Sequence, residues 1–273
     1  MCIGLCGLLA TGCVDVGTRG IRPQYGAKQA GRAYFLDGAG GGSILTNWGG
    51  GIRDGLRSGG FKGDFVPFRW QTGYGAVADQ NSSVAYKRTQ ATRLAASMRR
   101  FHKENPTAPI YVLGLSAGTA VAAYALETLP LEFQVDQVVF LGSSLSNDYD
   151  LSRALRRISG HLHVFTSGLD PILWVGVTVA GTADRDRAKA AGIEGFVLPR
   201  KANSEMRSLY TKLRQEEWKP EFALKGNLGG HVGAAQSWFV RDYITPRLRP
   251  ATPAPDASMP DSTSTSEPPR ASP

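Results

Sequence analysis

Between Tyr25 and Leu248 short apolar runs alternate with longer segments of helical period, and this alternation constrains the chain more than any other feature. Ala33–Asp37, Asp64–Trp70, Pro109–Gly114, Val135–Leu141 and Leu162–Thr166 each read as a strand. Their near-continuous apolar character is that of strands covered on both faces. Between them, Trp48, Ile52 and Leu56 recur at a four-residue step despite the glycines at 49–51. Ser83–Glu104, carrying Lys87, Arg88, Arg93, Arg99 and Arg100, predicts a long helix that stops before Pro106. Thr119–Leu129 and Leu151–Ile158 predict two more, and Val232–Ile244 a closing one. Strands separated by helices need crossover connections. The expected fold class is therefore α/β, a mostly parallel central sheet with helices on both faces. A last strand is weakly marked, with Gly195–Leu198 and Phe222–Lys225 as the candidates.

Composition narrows the class. Hydrophobic residues at 42% and charged residues at 20% exclude wholesale disorder, and no apolar run reaches the length of a membrane-spanning helix. All three cysteines, Cys2, Cys6 and Cys13, lie in the first 13 residues, so the body has neither disulfide nor thiolate metal site and must rest on core burial. Four regions follow: an apolar segment 1–13, a linker 14–29, one domain 30–248, and a tail 249–273. Seven of the 16 prolines fall between Pro250 and Pro273 among Ser, Thr and Ala, a composition that predicts disorder. Residues 250–273 are net acidic, which leaves 30 basic against 20 acidic residues in the rest of the chain.

The uncharged start, MCIGLCGLLATGC, resembles a bacterial lipoprotein signal peptide. That resemblance implies cleavage before Cys13, acylation of its thiol and new amino group, and a membrane-anchored protein. A plain secretory signal (periplasmic or extracellular) and an unprocessed cytoplasmic N-terminus are the alternatives.

The chemistry is expected at Gly114-Leu115-Ser116-Ala117-Gly118. G-x-S-x-G is a short motif that chance supplies readily, but here it follows the strand IYVL and precedes the helix TAVAAYAL. That is the setting of a nucleophile elbow, in which a tight turn lifts a serine off the sheet and flanking glycines let backbone pass closely. On these residues the chain resembles the α/β-hydrolase superfamily, its serine esterases and lipases in particular. The resemblance implies a triad in the order Ser, acid, His. His231, in Gly229-Gly230-His231 before the last helix, takes the histidine's place. His102, near the end of a charged helix, and His161 and His163, at the start of a strand, fit worse. Asp170 follows the fifth strand, hence emerges at the Ser116 edge, and is the expected acid. Asp148 or Asp150 is the rival and Asp184 the third choice. The family's oxyanion hole implies Ala117 N–H and a donor from Asp37–Ser43, Ala39 first and Gly40 second. Many lipases have His where Asp37 stands.

The same glycines do not form a phosphate cradle, because G-x-G-x-x-G fails at Ser43. No metal, flavin or nicotinamide cofactor is implied, and no nucleic-acid module is recognised. The reading that follows is a serine hydrolase cleaving an ester, thioester or amide through an acyl-enzyme, with a small-molecule or lipid acyl substrate. The alternative is a non-catalytic binding protein of the same fold at a membrane surface. Basic clusters at Arg153, Arg156, Arg157, at Arg185, Arg187, Lys189 and at Arg200, Lys201 suggest an anionic membrane surface as partner, although such clusters are more often solvated faces. Ile172–Ala180 is read as a buried segment or as the wall of an acyl pocket.

Overall fold

The computed structural model describes residues 26–41, 48–174, 181–185 and 189–250. Six strands form one sheet: β1 (Arg32–Leu36), β2 (Asp64–Pro67), β3 (Ile110–Leu115), β4 (Gln137–Leu141), β5 (Leu162–Thr166) and β6 (Leu213–Glu217). Their order is β2-β1-β3-β4-β5-β6 and every pairing is parallel. The helices α1 (Trp48–Ser58), α2 (Ala76–Gln80), α3 (Val84–Glu104), α4 (Gly118–Thr128) and α5 (Ser152–Leu155) fill the connections between β1 and β5. The expected α/β class is thus present.

Strand side chains alternate between faces, and here the alternation sorts the core into two layers. Tyr34, Leu36, Val112, Val138, Phe140, Leu162 and Val164 pack with Leu94, Met98 and Phe101 of α3 and the Ala-rich α4. Ala33, Phe35, Leu113, Leu115, Val139, Leu141 and Phe165 pack on the other side with Ile52 and Leu56 of α1 and with Phe239, Val240 and Ile244. Helices cover both faces, as a parallel sheet requires.

Several boundaries differ from expectation. The second strand ends at Pro67 rather than Trp70; it is an edge strand, where a residue without an N–H is tolerated. The last strand is β6, and neither Gly195–Leu198 nor Phe222–Lys225. Its sequence LRQEE is polar and largely exposed because it forms the other edge of the sheet. Val232–Ile244 is broken into a 3-10 turn (Gly233–Ala235), one α-turn (Ser237–Phe239) and a π-type turn (Val240–Ile244). Helix α5 is shorter than Leu151–Ile158. Lys87 of α3, expected with the charged residues of that helix, is fully buried, its Nζ donating to Gln80 O at 3.2 Å and Ser82 O at 2.8 Å. Burial pushes its ammonium down to about 8, with Arg185 adding to the shift.

The first and last described segments meet at the edge where the strands begin. Ala27 N donates to Lys62 O, just before β2, at 3.0 Å. Gln137, the first residue of β4, donates from Nε2 to Arg249 O at 3.1 Å. Gln29, Ala30 and Pro250 line one crevice there. Segments 1–25 and 251–273 lie outside the described residues, and with them Cys13.

Candidate active site

The turn after β3 carries one of two non-glycine residues with positive φ among the described residues, the other being Arg185. Ser116 has φ +51, a left-handed conformation that a non-glycine residue adopts at a cost of about 1–3 kcal/mol. Its surroundings hold it there. Ser116 N continues the sheet ladder to Leu141 O at 2.9 Å, and Ser116 O accepts from Thr119 N at 3.0 Å and Thr119 Oγ1 at 2.6 Å. The flanking glycines are required by packing: a Cβ on Gly118 would stand 2.4 Å from Leu36 O, and one on Gly114 2.9 Å from Thr119 Cα. The motif read from sequence is therefore a strained strand-to-helix turn in fact.

Two loops reach the same edge, where the strands end. After β5, Ser167 and Asp170 turn into a short helix at 171–174. Asp170 is buried, and its Oδ1 accepts from Leu173 N at 3.0 Å while Oδ2 contacts His231 Nδ1 at 2.7 Å. The His231 loop is shaped by Gly229 at φ +85, whose N–H donates to Asn227 Oδ1 at 3.1 Å. Ser167 Oγ donates to Gly229 O at 2.6 Å, tying the histidine loop to the acid loop. Trp218 Nε1, just after β6, adds a bond to Asn227 O at 2.8 Å. An imidazole whose Nδ1–H is held by a buried carboxylate leaves Nε2 as the basic nitrogen. No hydrogen bond joins that ring to Ser116 Oγ in this structure.

The other candidates lie elsewhere. Asp148 and Asp150 are exposed, Asp150 capping Ser152 N at 2.9 Å. Asp184 accepts from Ser146 N and Oγ. His102 is exposed on the last turn of α3, and His161 and His163 sit together at the start of β5.

Ala39 N–H, in the loop after β1, and Ala117 N–H, next to Ser116, make no hydrogen bond within the described residues, whereas Gly40 N–H donates to Asp79 Oδ2 at 2.8 Å. Gly40, the second oxyanion candidate, is thus already engaged. A Cβ placed on Gly38 would come within 3.2 Å of Ser116 Cβ, so this loop passes directly beside the serine. Gly42 and Ser43 fall outside the described residues. Sequence reasoning missed Gln71 and Asp79, which bind the loop from the segment after β2. Their only signal is that they lie in the segment following a strand.

Of the apolar segment Ile172–Ala180, Leu173 is buried against Ala190 and Ile193, while Ile172 and Trp174 are exposed; 175–180 lie outside the described residues. The basic clusters are partly consumed internally. Arg157 is buried with Nε on Leu129 O, Arg156 pairs with Glu205, and Lys189 pairs with Glu194. Arg200 and Lys201 are exposed, and Arg187 is outside the described residues.

A parallel sheet with Ser116 in a strained turn after β3, Asp170 after β5 and His231 after β6 is consistent with the α/β-hydrolase fold. No family model and no curated protein matches the chain. Solved structures similar to it include esterase PE8, 13% identical over 77% of this chain and 89% of that one, with a TM-score of 0.46. Lipase B of Aspergillus fumigatus is 12% identical over 84% of this chain and 55% of that one, TM-score 0.48. The esterase domain of a Rhodothermus marinus protein is 13% identical over 81% and 87%, TM-score 0.43. Likenesses this distant concern the fold and carry no argument about the site.

Proposed function

We propose that the protein is a serine hydrolase that cleaves a carboxylic ester, or a thioester or amide, through an acyl-enzyme. The observation that carries this reading is the 2.7 Å contact between His231 Nδ1 and the buried Asp170, on loops reaching the edge where Ser116 is held at positive φ. Ser116 Oγ attacks the carbonyl while His231 Nε2 accepts its proton, then returns it to the leaving group. Asp170 fixes the tautomer and stabilises the imidazolium. Water, activated by the same nitrogen, releases the acid and restores the serine. The N–H groups of Ala39 and Ala117 receive the developing oxyanion, a contact worth about 3 kcal/mol per donor. The imidazole must close on Ser116 Oγ in the substrate complex, where catalytic hydrogen bonds commonly tighten.

Exposed apolar side chains on the segments that carry these groups support a substrate with a substantial hydrocarbon part. Tyr74 and Val77 stand beside the oxyanion loop, Leu169, Ile172 and Trp174 around Asp170, and Leu228 before His231. Anchoring through an acylated Cys13, and an anionic membrane as the surface it works on, complete the proposal; their support is the sequence of the first 13 residues and the basic excess of the body.

A fluorophosphonate probe tests the reading. Wild-type protein should gain one covalent adduct on Ser116, and Ser116→Ala none, as read by intact mass. An unlabelled wild type, or equal labelling of both, would leave the non-catalytic binding protein as the better account.

A further inference from the structure

We propose that Gln71 is a positioning residue that aims the Ala39 N–H at the oxyanion, an inference that rests on the hydrolase reading above. In a trans peptide the C=O and N–H point to opposite sides, so whatever holds one sets the other. The Gly38–Ala39 peptide is held by its oxygen. Gly38 O accepts from Gln71 Nε2 at 3.0 Å and from Gly41 N at 3.0 Å. Gln71 Nε2 also reaches Asp37 O at 3.4 Å, an oxygen that Trp70 Nε1 grips at 2.7 Å. The amide of Gln71 has one workable orientation. Two carbonyl oxygens face its nitrogen, and its Oε1 accepts from Trp70 N at 3.2 Å.

The next peptide is held from the same side. Gly40 sits at φ +71, the positive value that the third position of a type II turn requires. The central peptide of such a turn is the one that flips between turn types, and here its Gly40 N–H is tied to Asp79 Oδ2 at 2.8 Å. The other oxygen of Asp79 accepts from Thr72 N at 2.7 Å and Thr72 Oγ1 at 2.6 Å. Both peptides flanking Ala39 are therefore fixed from residues 70–79, which supply no reacting group themselves. Removing Gln71 leaves Gly38 O with the turn bond alone, and the glycine-rich backbone is then free to rotate Ala39 N–H away.

Two substitutions test this on hydrolysis of a short p-nitrophenyl ester. Gln71→Met keeps the length and removes the donor; kcat should fall about 10- to 100-fold, part of the loss seen when an oxyanion donor is removed outright, with KM within about twofold. Gln71→Glu turns a carboxylate toward two carbonyl oxygens and should lose at least as much at about pH 8. A protonated carboxyl regains a donor, so the ratio of Gln71→Glu to wild-type kcat should rise several-fold toward pH 5.5, while that of Gln71→Met stays level. A structural defect would not restore itself with acid. Labelled wild type together with variants of unchanged kcat, or with KM rising in step with the loss, overturns the role of Gln71. Wild type that takes no fluorophosphonate is a different result, which overturns the hydrolase reading and this inference with it.

Discussion

Asp170 touches His231 at a single oxygen, and the other is used by its own loop. An Asn at this position keeps the shape and the Leu173 bond but presents the wrong partner to Nδ1–H or stabilises the wrong tautomer. Asp170→Asn should therefore lower kcat by about 10⁴ in the ester assay with little change in melting temperature, by analogy with triads of this kind. A loss below tenfold would mean that another group orients the imidazole. As candidates, Ser116, His231 and Asp170 stand out in the sequence because each is marked by its neighbours: a glycine-bracketed serine between strand and helix, a Gly-Gly-His loop, an acid just past a strand. Gln71 and Asp79 carry no such mark. Their partners in the loop after β1 lie more than 30 residues away, and only the fold brings the segment after β2 against that loop. Lys87 shows the same limit, since a helical period that exposes most of its charged neighbours gives no sign that one of them is sealed in.

At the scale of elements, α1 contradicts propensity. Its sequence WGGGIRDGLRS holds four glycines, each costing about 1 kcal/mol relative to alanine in a helix. Packing explains two of them. A Cβ on Gly51 would lie 2.3 Å from Ala235 O, and one on Gly55 2.4 Å from Val240 Cβ and 2.6 Å from Ser237 O. The bare face of α1 is what admits the broken helical run at 233–247. Gly55→Ala, stabilising in an exposed helix, should here cost about 1–3 kcal/mol through overpacking, as measured by urea denaturation. An unchanged or raised midpoint would show that the two elements separate easily. The apolar strands were legible because burial on both faces leaves a continuous run. The final strand was not, since LRQEE is an edge strand whose polar side chains meet solvent and guard against edge-to-edge pairing.

For the whole molecule, charge and burial set the response to acid. His163 on β5 is held in its neutral form: burial, then Arg247, His161 and Arg214, pull its imidazole down to about 4. The unfolded chain binds that proton at about 6.5. Stability from this site is thus fully present above about 6.5 and is lost as pH falls toward 4, because only the unfolded state accepts the proton in that window. Melting temperatures at about pH 7 and pH 5 should differ less in His163→Gln than in wild type; an equal difference would assign the acid sensitivity to other groups. The parallel architecture was legible from the alternation of runs.

Both described ends of the chain stand at the floor of the sheet, where the strands begin, and the serine turn stands at its roof. A tether or solid support grafted near either end would therefore grip the underside. It would leave the face that carries Ser116 turned outward, and a fusion partner could be carried there without shadowing it.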